Sequence, residues 1–120
     1  MTGTEEAVAT AGAVRVANQV IASIAAMAAR EIEGVSGMDQ AHARHFGDWI
    51  KRQSAHDGVR VMVDAQRAIH LEVFLTVRSG AELAAMAEQV QANVVEAVER
   101  MLGLEVAEVH VFVSSIAFSD

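Results

Sequence analysis

The chain has 120 residues, 52% of them hydrophobic and 21% charged, with a net charge of −7 and no cysteine. That is room for one domain with one core, it excludes a second, and it is far too apolar for a disordered chain. Without cysteine there are no disulfides, thiolate ligands or cysteine nucleophile, which fits a reducing, cytoplasmic setting; the acidic balance argues against a grip on nucleic acid or anionic lipid, since both need clustered Lys and Arg.

Residues 1–13 place Glu5 and Glu6 ahead of an apolar run with no basic residue, so they read as a flexible lead rather than a secretory signal, and residues 14–120 as a single domain. The most apolar stretch, Val20 to Ala29, is about half of the ~20 residues a membrane span needs, so no direct insertion is expected.

From Val16 to Glu33, the apolar residues Val16, Val20, Ile21, Ile24, Ala28 and Ile32 recur at spacings of three and four, which predicts a helix with one buried stripe, stopped by Gly34. Between Met38 and Asp57 the pattern dissolves into polar residues around Phe46, Trp49 and Ile50, and a loop or one helical turn is expected. Val59, Val61 and Val63, then Ile69, Leu71, Val73, Leu75 and Val77, alternate with other residues at period two, and the short connection Ala65 to Ala68 makes the pair an antiparallel hairpin.

Ser79 and Glu82 have the spacing of a capping box ahead of a second helix with the stripe Leu83, Met86, Val90, Val94, Ala97 and Met101, ended by Gly103. Its other side, with Glu82, Glu88, Gln89, Gln91, Asn93, Glu96 and Glu99, reads as solvated. Leu104 and Val106, then Val109, Val111 and Val113, form a third strand whose alternation changes phase at Ala107–Glu108, the mark of a bulge, and Ile116 and Phe118 extend it.

The order α-β-β-α-β predicts an α+β two-layer sandwich, a three-stranded sheet with two long helices on one face. The first strand is expected at the centre, antiparallel to both others.

Four segments carry a family resemblance. Ile32-Glu33-Gly34-Val35-Ser36-Gly37-Met38, Gly58-Val59-Arg60-Val61, Val77-Arg78-Ser79-Gly80 and the run from Met101-Leu102-Gly103-Leu104 to His110-Val111-Phe112-Val113 resemble, in order and spacing, the alkaline shock protein family of bacterial envelope stress response proteins. The chain departs from that pattern at His110, where asparagine is common, and at Ala17, where a serine often caps the helix. The resemblance implies a non-catalytic cytoplasmic protein of cell-envelope homeostasis that self-associates into a homo-oligomer and is held peripherally at the inner face of the membrane by a separate anchoring protein, with no cofactor.

Helices on one sheet face leave the other to Arg60, Met62, His70, Glu72, Phe74, Thr76, His110 and Phe112. Phe74, Phe112 and Met62 ringed by His, Arg and Glu have the composition of a protein interface, so Met62, His70, Glu72, Phe74, His110 and Phe112 are the candidate contact residues. Phe74→Asp is then expected to break a homo-oligomer and leave the fold intact.

Other chemistries fare worse. His42, His45 and Asp48, with Asp39 and His56 nearby in sequence, lack a recognised metal-ligand spacing, so no metal is expected. Gly34-Val35-Ser36-Gly37 matches the Gly-x-x-Gly loop of KH-like RNA-binding domains, yet Glu31, Glu33 and Asp39 flank it where a phosphate clamp wants basic residues, and the segment reads as a helix stop and turn. Ser114, Ser115 and His110 share one strand and are poorly placed to act as nucleophile and base, so no enzyme is expected. The alternatives to an interaction module are thus an RNA-binding domain and a small-molecule-binding dimer, the latter requiring a deep pocket.

Overall fold

A computed structural model describes residues 11–40 and 54–118, with side chains from residues 18–40 and 56–118. Helix α1 spans Ala11–Arg30, followed by β1 (Val35–Met38), β2 (Ser54–His56), β3 (Val59–Val63), β4 (Ile69–Arg78), α2 (Leu83–Leu102) and β5 (Val106–Ala117). The fold is α+β, as predicted, but the sheet has five strands rather than three.

Helix α1 buries Ile21, Ala22, Ala25, Ala26, Ala28 and Ala29, so its inner face is largely alanine and lets the backbone approach its neighbours closely. Val20, predicted on the buried stripe, is 41% exposed. The helix stops at Arg30, short of the predicted Glu33, because the next N–H groups turn to tighter bonds: Glu31 N donates to Ala28 O and Ile32 N to Ala29 O.

Val35–Met38 is a strand, not the predicted turn. It pairs antiparallel with β4, Val35 opposite Val77 and Met38 opposite Leu75, with the extra residue Ser36 bulged out. Arg78 N donates to Gly34 O at 2.7 Å, so the Gly-x-x-Gly segment is committed to the sheet rather than free to clamp a phosphate. The loop expected up to Asp57 also contains a strand, β2, joined to β3 by the two-residue turn Asp57–Gly58, whose φ values of 55° and 79° give the doubly left-handed geometry of a hairpin turn. Phe46, Trp49 and Ile50 lie outside the described residues.

The β3–β4 hairpin forms as expected, with Val59 opposite Val73 and Val63 opposite Ile69. Its connection is built on Asp64, whose Oδ1 accepts from the N–H groups of Gln66 and Ala68, both at 2.9 Å, while Arg67 takes φ 68°.

The predicted strand order is wrong: β4, not β3, is central. β3 lies against residues 69–73 of one β4 edge and β1 against residues 75–77 of the same edge, while β5 runs parallel to β4 along the other. The reason is availability. The Asp57–Gly58 turn gives the free edge of β3 to β2, so the crossover through α2 can return only beside β4.

Helix α2 buries Met86, Val90, Val94, Ala97 and Val98, but Leu83 and Met101 at the ends of the predicted stripe are 44% and 51% exposed. The capping box does not form. Glu82 is itself the N-cap residue and makes no side-chain cap bond, and Ser79, too early to cap, donates its N–H to Ala117 O. At the other end Gly103 closes the helix in the left-handed conformation at φ 68°, its N–H bonded to Glu99 O, as the sequence predicts. Two polar residues assigned to the wet side are engaged: Asn93 Nδ2 donates to Ala28 O of α1 at 2.7 Å, and Gln91 Nε2 donates to Val109 O of β5 at 2.9 Å.

One core joins these elements. Val59, Val61, Ile69, Leu71, Val73, Leu75, Val77 and Val109 meet the buried residues of α1 and α2 in a single cluster. Alternate strand positions therefore supply the interior, and the residues between them face the reverse side.

Candidate functional site

Register assembles the reverse side in rows across β3, β4 and β5. Met62, His70 and Glu108 are neighbours in one row, Arg60, Glu72 and His110 in the next, then Phe74 and Phe112, then Thr76 and Ser115. All six predicted contact residues share this surface. Glu108 joins them because the bulge at Ala107, where the register skips from Val106 to Glu108, shifts the side chains from Glu108 to Val113 by one face, until a second bulge at Ser114 reverses the shift.

The rows are held by polar contacts. Arg60 Nη1 lies 2.7 Å from Glu72 Oε1, with the Arg60 side chain only 9% exposed. His70 sits between two carboxylates, Nε2 at 2.8 Å from Asp64 Oδ2 and Nδ1 at 2.7 Å from Glu108 Oε2. Glu108 uses its other oxygen for His110 Nε2 at 3.1 Å. Thr76 Oγ1 and Ser115 Oγ share a hydrogen bond of 2.7 Å.

Electrostatics follow from that geometry. Hydrogen bonds to Asp64 first and Glu108 second raise the pKa of His70 above its usual 6.5. The same bonds lower the two acids: Asp64 chiefly through His70, aided by the Ala68 N–H, and Glu108 through His70 and then His110.

The aromatic part departs from expectation in one respect. Phe74 and Phe112 stack with ring centroids 4.9 Å apart at 15°, but Phe74 is only 3% exposed whereas Phe112 is 41% exposed. Phe74 is thus buried beside Phe112, and Phe112, with His110 ring to ring at 6.4 Å, is the exposed ring of the pair. Met62, His70 and Glu72 are half-buried and His110 is exposed.

Asp64 and Glu108 are the members that sequence reading missed. The phase change at Ala107–Glu108 was the available signal for Glu108. For Asp64 it was an acid ahead of a short connection between strands, the usual setting for a side chain that caps its own turn.

The weaker candidates do not assemble. Ser114 Oγ donates to Asp39 Oδ2 at 2.7 Å and Ser115 bonds Thr76, so neither serine meets His110, which is turned to Glu108. His42, His45 and Asp48 lie outside the described residues, and among the described residues no group of three or more His, Asp or Glu side chains is arranged to hold a metal ion. No described helix is long and apolar enough to cross a membrane.

The chain is thus a small α+β domain with one sheet side built into the core and the other carrying an aromatic and ion-paired surface. The chain belongs to the alkaline shock protein 23 family, described by a cell envelope-related function, whose profile matches residues 6–118. The chain is 27% identical over 111 residues to the uncharacterized protein YloU of Bacillus subtilis strain 168, covering 91% of this chain and 92% of that one. It is 29% identical over 107 residues to the uncharacterized protein YqhY of the same organism, covering 89% and 78%. No solved structure gives a significant match.

Proposed function

We propose that the protein is a non-catalytic interaction module of bacterial cell-envelope homeostasis, which self-associates and docks to other proteins through the reverse side of its sheet. It works in the cytoplasm, where a membrane-anchoring partner protein holds it at the inner face of the cell membrane. The observation that carries this reading is Phe112, an exposed aromatic ring stacked on a buried one, with Glu72 and His110 in the adjoining row. A rigid aromatic anchor with a hydrogen-bonding rim is the arrangement that concentrates binding energy at protein interfaces. The envelope-related description of the family supplies the setting.

Sedimentation of the full chain beside Phe112→Asp and Met62→Glu tests the docking surface. The unsubstituted chain is expected to form oligomers and both variants to lose mass while keeping their helix content. Unchanged mass in both variants would remove the reverse side from the contact.

A further inference from the structure

We infer that β5 is the seam of a two-fold dimer, pairing antiparallel with β5 of a second copy about Val111 and joining the two sheets into one. This seam is distinct from the reverse-side docking surface and does not depend on it.

The first observation is an open edge. β5 is a strand of twelve residues bonded to β4 along one side. Ile69 N donates to Glu105 O and Ser79 N to Ala117 O, so Glu105 and Ala117 turn inward. Side chains of α2 on the side away from β4 fix the outward phase: Val106 N donates to Glu99 Oε2 and Gln91 Nε2 donates to Val109 O. Alternation from these points, with extra residues at Ala107 and Ser114, aims the backbone groups of Val106, Val109, Val111, Val113 and Ile116 outward. Among the described residues nothing caps Val111, Val113 or Ile116. Of the usual protections of a free edge, β5 holds no lysine and no proline and its only carboxylate is Glu108; what it does carry is the pair of bulges.

The second observation identifies the occupant. The outward residues are spaced three, two, two and three apart, and every one is β-branched. That spacing is a palindrome centred on Val111. A two-fold axis there sets Val111 against itself, Val109 against Val113 and Val106 against Ile116, and brings the two bulges opposite each other, so that the ladder continues through both. Few other strands could match two bulges at once. Charge agrees: Glu108 falls opposite Ser114 and His110 opposite Phe112, whereas a parallel pairing in register would set Glu108 against Glu108. The pairing covers Val113 and Ile116, which are 36% and 47% exposed. Gln91 and Glu99 are exposed side chains on α2 and swing aside from the two groups they occupy.

A cysteine trap on the full chain tests the seam, since the chain has no cysteine of its own. Hydrogen-bonded antiparallel partners have Cα atoms about 5.5 Å apart, inside the ~4.4–6.8 Å that a disulfide spans. Under mild oxidation Val111→Cys is expected to run mostly as a covalent dimer. Val106→Cys alone is expected to stay uncrosslinked, and its mixture with Ile116→Cys to crosslink. Val113→Lys, at an exposed site, is expected to halve the sedimenting mass with the circular dichroism unchanged. A Val111→Cys chain that stays uncrosslinked while Val113→Lys keeps the full mass would overturn the seam; if Met62→Glu then dissociates the oligomer, the reverse-side reading survives alone. An unsubstituted chain that is monomeric at high micromolar concentration overturns both.

Discussion

His70 Nδ1 lies 2.7 Å from Glu108 Oε2, a contact that ties β4 to β5 across thirty-eight positions of sequence. With Asp64 on its other nitrogen, the ring must donate from both sides, and only the imidazolium can do so. Stability should therefore depend on pH from both directions. The raised pKa of His70 means its contribution is complete below about its usual 6.5 and is lost as pH climbs through the raised value. The lowered acids, ordinarily at 3.8 and 4.5, contribute above those values and lose it as pH falls through the lower folded ones. Arg60, Glu72 and His110 complete the charges on this face. Melting temperature should thus be highest in mildly acidic buffer and decline on the alkaline side, and His70→Gln should flatten that decline. Proton NMR that found His70 titrating below 6.5 would refute the bridge.

Burial separates Phe74 from Phe112 although they stack. Phe74→Asp puts a carboxylate where the residue is 3% exposed, so it acts on the fold and not only on assembly, with a cost at or above the ~3–5 kcal/mol of removing a buried Phe. Phe112→Asp, at a 41% exposed site, should cost no more than about 1 kcal/mol. Urea unfolding of both variants measures the contrast, and equal midpoints would contradict it.

That contrast shows where sequence reading reaches its limit. Long periodic runs such as Ile69–Arg78 and Leu83–Leu102 could be read because each carries its own record of which side is apolar. Val35–Met38 and Ser54–His56 could not, since four and three residues are too few to show a period and become strands only when β4 and β3 bond to them. The Asp57–Gly58 pair did carry a hairpin signal, weakened by the absence of alternating hydrophobics ahead of it. Strand order depends on which edges remain free, a property of the assembled sheet. At the site, alternation correctly gathered Met62, His70, Glu72, Phe74, His110 and Phe112 on one side. It said nothing of depth, so the burial of Phe74 was invisible.

Asn93 joins the two helices. Its Nδ2 donates to Ala28 O at 2.7 Å and to Glu31 Oε1 at 3.0 Å, holding the end of α1 against the middle of α2. Asn93→Ala removes both bonds and the partner of a carbonyl at the helix end, at a cost of about 1–2 kcal/mol. Gln89→Ala, an exposed neighbour on α2, should stay within about 0.5 kcal/mol of the unsubstituted chain. Chemical denaturation that placed the two variants together would show that the interhelical bonds add nothing.

Gly58 occupies the junction where β3 gives way to β1 along one edge of β4. Phe74 N donates to Gly58 O at 2.9 Å and Phe74 O accepts from Asp39 N at 2.8 Å, so consecutive strands share the two backbone groups of one residue. A Cβ at Gly58 would stand 2.7 Å from Met38 Cβ and 3.2 Å from Asp39 N, neither of which is the end of a flexible side chain. Its φ of 79° is a second obstacle. Gly58→Ala should therefore cost about 2–5 kcal/mol, the left-handed strain of ~1–2 plus the overpacking of ~1–3. Gly80→Ala separates the two terms, because Gly80 has φ 89° but nothing within 4 Å of its added Cβ, leaving only the conformational cost. If thermal melts show the two substitutions to be equally harmful, crowding at the strand junction contributes nothing and Gly58 is required for its backbone angle alone.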